Sequence, residues 1–562
     1  MSKYSDHTTV GGQVLAHRMR MMKQNWHIIL IIGKIGFLLS FLFGILMRWK
    51  INDIWNYLCI TKAVYRSNMA SIPCDLFSNS CFWLKSGKLQ WLSDYYVASN
   101  NNFLLAKDSF ENFVWTDLKI SLLIGLLSMI IMVIINKFFG KALSDNKEII
   151  SGNDYVDAIT LKKTIQNKSD ICLAGVPYPI SSECRHTIIT GTTGAGKTNV
   201  FHELLQQIIG KGERAIIVDT VGTYTSHYFQ ADRDVILNPL DAKSRNWNLF
   251  SECSEATEEH QNLILKTIAE CVITNDHGSH DFWDKAARIV FVETAKKAIK
   301  EQKSFQEFLQ LLLQLPLELI AEYLSGTYGY SIMDIRAEKM ALSVRTTLIN
   351  SVSAFDILKQ QSELGFSIRN WINSNDKNSR FLFLSCTPNE RATLIPLITS
   401  WLAIASESLL HNQPTSKRTW FLIDELHNLK RLPSLELSLA EIRKFGGCYV
   451  IGTQMISQLN KIYSYEVAKT ITGLCGTKVI MCTPEPETAR YMSDFLGEKE
   501  EVTTSEAISY GANTMRDGAN ISQHKEIKKV VPPSEIMHLK PGEAFLSFPG
   551  IDHVAKVKFE LH

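Results

Sequence analysis

Very little net charge separates this chain from neutrality: 59 lysines and arginines stand against 57 aspartates and glutamates, a formal +2 over 562 residues. A strongly basic balance would have announced a nucleic-acid binder on composition alone, and it is missing. Cysteine is sparse, 11 in all, which excludes a small disulfide scaffold. The eight cysteines beyond Gly140 form no paired CxxC spacing, so they read as reduced, packed thiols. No base-stacking aromatic motif stands out. What the chain does have is apolar content: 45% of its residues are hydrophobic, ample for a core, which excludes disorder and a collagen-like chain.

The near-zero sum hides two regions. Up to Gly140 there are 14 basic and 7 acidic residues (+7), and beyond it 45 and 50 (−5). Residues 27–47, HIILIIGKIGFLLSFLFGILM, span roughly 30 Å as a helix, the thickness of a bilayer core. A second run, ISLLIGLLSMIIMVII, is uncharged and bounded by Lys119 and Lys137. Two transmembrane helices are predicted, at about 27–47 and 118–136, and Lys34 within the first must snorkel or face a neighbouring helix. No small-residue cleavage site follows Met47, only Arg48, Trp49 and Lys50, which argues against a removed signal peptide. Gly36, Ser40 and Gly44 form a small-residue face suited to close helix pairing. Lys3, Arg18, Arg20 and Lys23 before the first span, and Lys137, Lys141 and Lys147 after the second, favour both termini in the cytosol. The segment 48–117 is then an extracytoplasmic loop, rich in tryptophan, in which two of Cys59, Cys74 and Cys81 could bridge.

Past a polar connector, HTIIT reads as a short buried strand, followed by GTTGAGKT (191–198) and a helical pattern, NVFHELLQQIIG. This is G-x-x-x-x-G-K-T in its strand, loop and helix setting. Gly191, Thr192, Thr193, Gly194, Ala195 and Gly196 would turn backbone N–H groups onto a phosphate at the positive end of the helix. Lys197 would reach the β and γ phosphates, and the Thr198 hydroxyl would ligate magnesium. The apolar strand TWFLI ends in Asp424 and Glu425. Asp424 is the candidate second magnesium group and Glu425 the residue that polarises the attacking water. Another apolar run, CYVIG, ends in Thr453 and Gln454, whose amide is placed to sense a γ phosphate.

Lys197 and Asp424 lie 227 positions apart, more than a plain nucleotide fold requires. Strand-like AIIVD and FLFLS bracket the gap, and from about residue 255 to 364 apolar residues recur at helical spacing. The prediction is an α/β fold with an inserted all-α domain. Its boundaries are 1–140 for the membrane anchor, 141–254 and 365–562 for the nucleotide domain, and 255–364 for the insertion.

An ordered set of motifs then resembles the coupling proteins of type IV secretion and conjugation, the TraD and TrwB group. The set comprises the two spans, GTTGAGKT, NPLDAKSRNWNLF, FWDKAAR, FLIDELHNL with LPSLE, EIRKFGG leading to IGTQ, and a late SYGANTMRDG. The resemblance implies a RecA-like P-loop ATPase, hexameric at the inner membrane, that uses ATP and Mg2+ to bring a relaxase-bound single DNA strand, irrespective of sequence, to the secretion channel. It implies that Arg443 in EIRKFGG is an arginine finger completing a neighbouring subunit's site, and that Gln454 is the sensing glutamine. By residue type alone, Arg443 and Lys444 are a solvated basic pair. Longer TraD proteins continue into a carboxy-terminal tail that docks a DNA-bound accessory protein, whereas this sequence stops at His562, soon after PGEAFLSFPG, so recognition through such a tail is not expected. Two other readings fit the residues less well: a docking platform for protein effectors, and a double-stranded DNA pump of the FtsK or HerA kind.

Overall fold

The computed structural model describes residues 3–68, 79–83, 89–144, 149–274, 281–360, 365–374, 380–415, 417–433, 435–509 and 518–560. They fall into two compact units, 1–147 and 148–562.

The first unit is built on two long helices, α1 (Lys3–Arg48) and α2 (Asn101–Ser144). Their apolar stretches, Asn25–Arg48 and Asn101–Ile135, cover the two predicted spans to within one residue, and only 11% of each apolar window is buried, as expected of side chains that face lipid. The intervening segment contains a helix, Ile51–Asn68, and a two-stranded hairpin, Asn79–Trp83 with Leu89–Ser93. Cys74 lies outside the described residues, as does the side chain of Cys81, and with them the expected bridge of this segment. The two long helices pack through glycine. A Cβ on Gly33 would stand 2.5 Å from Met129 Cγ, one on Gly36 2.9 Å from Ser128 Oγ, and one on Gly44 3.3 Å from Asp117 Oδ2. The small-residue face read from the sequence is therefore covered by α2 of the same chain. Near the end of α1, Arg48 (2.9 Å) and the Trp49 indole (3.0 Å) both donate to buried Asp117.

The second unit is organised by a ten-stranded sheet. Its strands in chain order are β1 (Asp154–Asp157), β2 (Thr187–Thr190), β3 (Arg214–Asp219), β4 (Val235–Leu237), β5 (Phe381–Ser385), β6 (Thr419–Ile423), β7 (Gly447–Thr453), β8 (Thr477–Met481), β9 (Glu543–Ser547) and β10 (His553–Lys558). The spatial order is β1-β10-β9-β8-β2-β7-β6-β3-β5-β4. From β8 to β4 every neighbouring pair is parallel, and β9 runs antiparallel to both β8 and β10. A parallel sheet is covered on both faces, which is why TIIT, AIIVD, FLFLS and CYVIG are apolar without alternation. The alternation survives in the packing. Ile216 and Val218 of β3 enter one core, while Ala215 and Ile217 enter the core on the opposite face.

Between β4 and β5 the described residues form helices and turns and no strand, among them Glu258–Val272, Asp281–Lys300, Phe305–Leu313 and Glu338–Val352. Their apolar faces, including Phe291, Phe308 and Phe355, continue the core of one sheet face. The fold is thus an α/β P-loop fold with an inserted all-α region, preceded by two membrane-type helices. One further helix, Arg391–Leu410, is apolar enough to cross a membrane, but 78% of its apolar window is buried inside this unit, so it is a core helix. In the late motif SYGANTMRDG, residues 510–517 lie outside the described residues.

Candidate active site

The carboxyl ends of β2, β3, β6 and β7 meet at one edge of the sheet, the edge where open parallel sheets bind ligands. After β2 the chain turns through Gly191–Gly196 into helix α3 (Lys197–Lys211). The turn is anchored from both sides: Gly191 N–H donates to the Thr453 carbonyl (3.2 Å) and Thr192 N–H to the Cys482 carbonyl (2.9 Å). Gly196 caps the helix at φ +109°, a left-handed conformation that a side chain would strain, with Met481 and Gly542 only 3.2 and 3.3 Å from where a Cβ would lie. Lys197 is buried, its ammonium folded back onto the Gly191 carbonyl at 2.8 Å. Burial pulls its pKa down, against the opposing pull of Asp424 and Glu425.

Asp424 and Glu425 leave the end of β6, beside the lysine. Burial raises the Asp424 carboxyl to about 6, although a hydrogen bond from the Tyr224 phenol (2.9 Å, to Oδ2) and the charge of Lys197 both oppose the rise. Its Oδ1 is buried and has no hydrogen-bond partner among the described residues. Glu425 accepts from the Gln454 amide on one oxygen and from the Asn428 amide on the other, and the His427 ring lies 3.9 Å away. Burial holds His427 below its usual pKa. Gly452 explains how β7 brings Gln454 so near: a Cβ there would stand 1.9 Å from the Asp424 carbonyl, an approach only glycine permits.

The structure therefore brings Lys197, Asp424, Glu425 and Gln454 together, with the Thr198 side chain near the Tyr224 phenol that bonds Asp424. Thr192 is half-buried, and Thr193 and Gly194 are exposed at the tip of the turn. Arg443 is elsewhere. It is exposed in the short turn Ile442–Phe445, which precedes the first residue of β7, whereas Gln454 follows the last. Seven strand residues separate the two by about 20 Å, beyond the reach of any side chain, so Arg443 does not meet the phosphate turn of its own chain.

Tyr224, Asn428 and His427 were not legible as site residues. Tyr224 belongs to helix α4 (Thr223–Tyr228) beyond β3, whose place beside β6 only the strand order reveals. A usable signal was present: AIIVD ends in an acid followed by a glycine-containing turn, the same kind of strand exit that marked Asp424.

Residues 170–560 match the family model described as the type IV secretion-system coupling protein DNA-binding domain. Coupling protein TraD of Escherichia coli (strain K12) is 30% identical over 98% of this chain and 77% of its own length. Among solved structures, plasmid coupling protein TrwB in complex with a non-hydrolysable ATP analogue superposes with a TM-score of 0.65 at 28% identity, over 74% of this chain and 95% of that one. TrwB in complex with ADP and Mg2+ matches with the same score and coverage at 27% identity.

Proposed function

This chain belongs to the type IV secretion-system coupling proteins, and from that premise we propose that it is an inner-membrane ATPase that recruits relaxase-bound single-stranded DNA to a secretion channel and helps to move it. The observation that carries the proposal is the convergence of Lys197, Asp424, Glu425 and Gln454 beneath a glycine-rich turn at the head of a helix.

The residues fit a nucleotide with a divalent cation. The Asp424 oxygen that is buried without a partner among the described residues is the kind of atom a metal-bound water satisfies, and the Thr198 side chain lies near the Tyr224 phenol that bonds the other Asp424 oxygen. Thr198 and Asp424 would hold the magnesium, which when bound neutralises charge between the β and γ phosphates. The N–H groups of residues 191–198 cradle the phosphates, and Lys197 exchanges its bond to the Gly191 carbonyl for a γ-phosphate oxygen. Glu425 orients and polarises the attacking water, and its two amide partners fix the direction of its carboxylate. Gln454, bonded to Glu425, links that carboxylate to the state of the γ phosphate. Arg443, about 20 Å from its own site, acts on the site of a neighbouring copy in the proposed hexamer.

The domain assignment proposed is an anchor (1–140) with both termini cytoplasmic, a nucleotide domain (141–254 and 365–562) and the inserted helical domain (255–364), which faces the substrate. The purified protein is expected to hydrolyse ATP. Lys197→Ala abolishes both binding and turnover, while Glu425→Gln abolishes turnover and keeps ATP bound; unchanged turnover in both variants refutes the assignment.

A further inference from the structure

Tyr224 sits in a set of contacts that the nucleotide reading leaves unused. Its phenol donates to Asp424 Oδ2 at 2.9 Å, with the Thr198 side chain close by. The residue is 3% exposed, its ring against Phe201 and His202 with centroids 6.0 and 5.4 Å away. The other Asp424 oxygen, Oδ1, is buried and has no partner among the described residues. The chain segment that delivers the ring is itself held. The Asp219 carboxylate accepts the N–H groups of Gly222 (2.8 Å), Thr223 (3.1 Å) and Thr225 (2.7 Å) and the Thr225 hydroxyl (2.8 Å). Arg391 Nη2 donates to the Thr220 carbonyl at 3.0 Å. A ring recruited only to fill space has no use for a hydroxyl here, and the structure spends two anchoring groups on placing one.

Resting on the site reading above, we infer that Tyr224 is a positioning residue for the divalent cation: its hydroxyl, bonded to Asp424 Oδ2, fixes that carboxylate toward the cation and leaves the hold of the phosphate turn to other residues. Groups that orient metal ligands in this way typically change metal affinity by 10- to 100-fold when removed. Tyr224→Phe keeps the ring and deletes one oxygen.

The experiment measures binding of a fluorescent ATP analogue to the full-length protein, with excess magnesium and with EDTA. The wild type binds more tightly with magnesium. Tyr224→Phe is expected to match the wild type in EDTA and to lose roughly tenfold or more of the magnesium enhancement. Asp424→Asn loses the same enhancement, and combining it with Tyr224→Phe adds no further loss, because the phenol acts through the one carboxylate it bonds. Asp219→Asn, which slackens the delivering segment from outside the site, lowers the enhancement in the same direction and serves if Tyr224→Phe does not fold. Full retention of the enhancement in the folded variant overturns the inference alone, as does an equal loss of affinity in EDTA and in magnesium, the mark of a merely structural residue. A wild type that binds no nucleotide, or binds it without regard to magnesium, overturns the site reading and this inference with it.

Discussion

Asp424→Asn is expected to make the nucleotide-free protein more stable at pH 8, although it destroys the proposed magnesium site. Burial lifts the Asp424 carboxyl to about 6 from an ordinary 3.8. The folded state therefore holds a proton through a window in which the unfolded chain has already lost it. With more protons bound to the folded state, stability falls as pH rises from about 3.8 to about 6, and above that the whole penalty is present. Two pKa units correspond to about 3 kcal/mol, and at pH 5 roughly half of that remains. Asparagine has no charge to desolvate and can still accept the Tyr224 hydroxyl. Spread over the second unit, a difference of that size moves the melting midpoint by roughly 3 °C. Thermal unfolding of wild type and variant, without nucleotide and with EDTA, reads this directly: the variant melts higher at pH 8, and the gap narrows at pH 5. Adding magnesium to the nucleotide-bound protein then raises the midpoint of the wild type further and leaves that of the variant where nucleotide alone put it. A variant that melts lower at pH 8, or a gap that ignores pH, refutes the claim that an incompletely compensated buried carboxylate waits in this site.

If Arg443 completes a neighbour's site, Arg443→Ala and Glu425→Gln proteins, each inactive alone, should regain part of the ATP turnover when mixed; no rescue at any ratio counts against a shared site. His186 tests the opposite edge of the sheet. It is 1% exposed, and its Nδ1 accepts from the Tyr449 N–H (3.1 Å), which leaves Nε2–H to donate to the Leu439 carbonyl (2.7 Å). Mainly through burial its pKa is depressed to about 4, so stability present above about 6.5 is lost as pH falls toward 4, by about 2 kcal/mol between pH 7 and pH 5. His186→Gln should lose that much less over the same interval in denaturant titrations, and an unchanged pH slope would show that the ring is not held neutral.

The parts of the site that were legible in the sequence are those carried by contiguous residues. GTTGAGKT is its own signature, and Asp424 and Glu425 stand out because an apolar strand ends in two acids. Gln454 was found for the same reason at the end of CYVIG. Tyr224 was invisible because its meeting with Asp424 depends on β3 lying beside β6, a pairing between segments some 200 residues apart. Gly33 lies on the same face as Gly36 and Gly44 and meets α2 most closely, at Met129, but the four-residue spacing that marks Gly36, Ser40 and Gly44 in the sequence passes over it. The spans were located by hydropathy, but hydropathy does not mark where a helix ends: α1 begins at Lys3 and α2 at Asn101, each continuing through polar residues whose backbone bonds are satisfied within the helix. The charge split at Gly140 also gains a physical meaning. The +7 side holds the membrane-type helices, and a −5 nucleotide region leaves any DNA contact confined to a local basic lining.

The most direct test of the central claim is ATP turnover by the full-length protein, titrated with single-stranded DNA of unrelated sequences at several salt concentrations. The account predicts stimulation by every sequence, a steep fall with salt as phosphate contacts are screened, and no turnover in Lys197→Ala. Turnover that depends on Lys197 but ignores DNA at every salt concentration would contradict it, and would point instead to a platform that docks protein substrates.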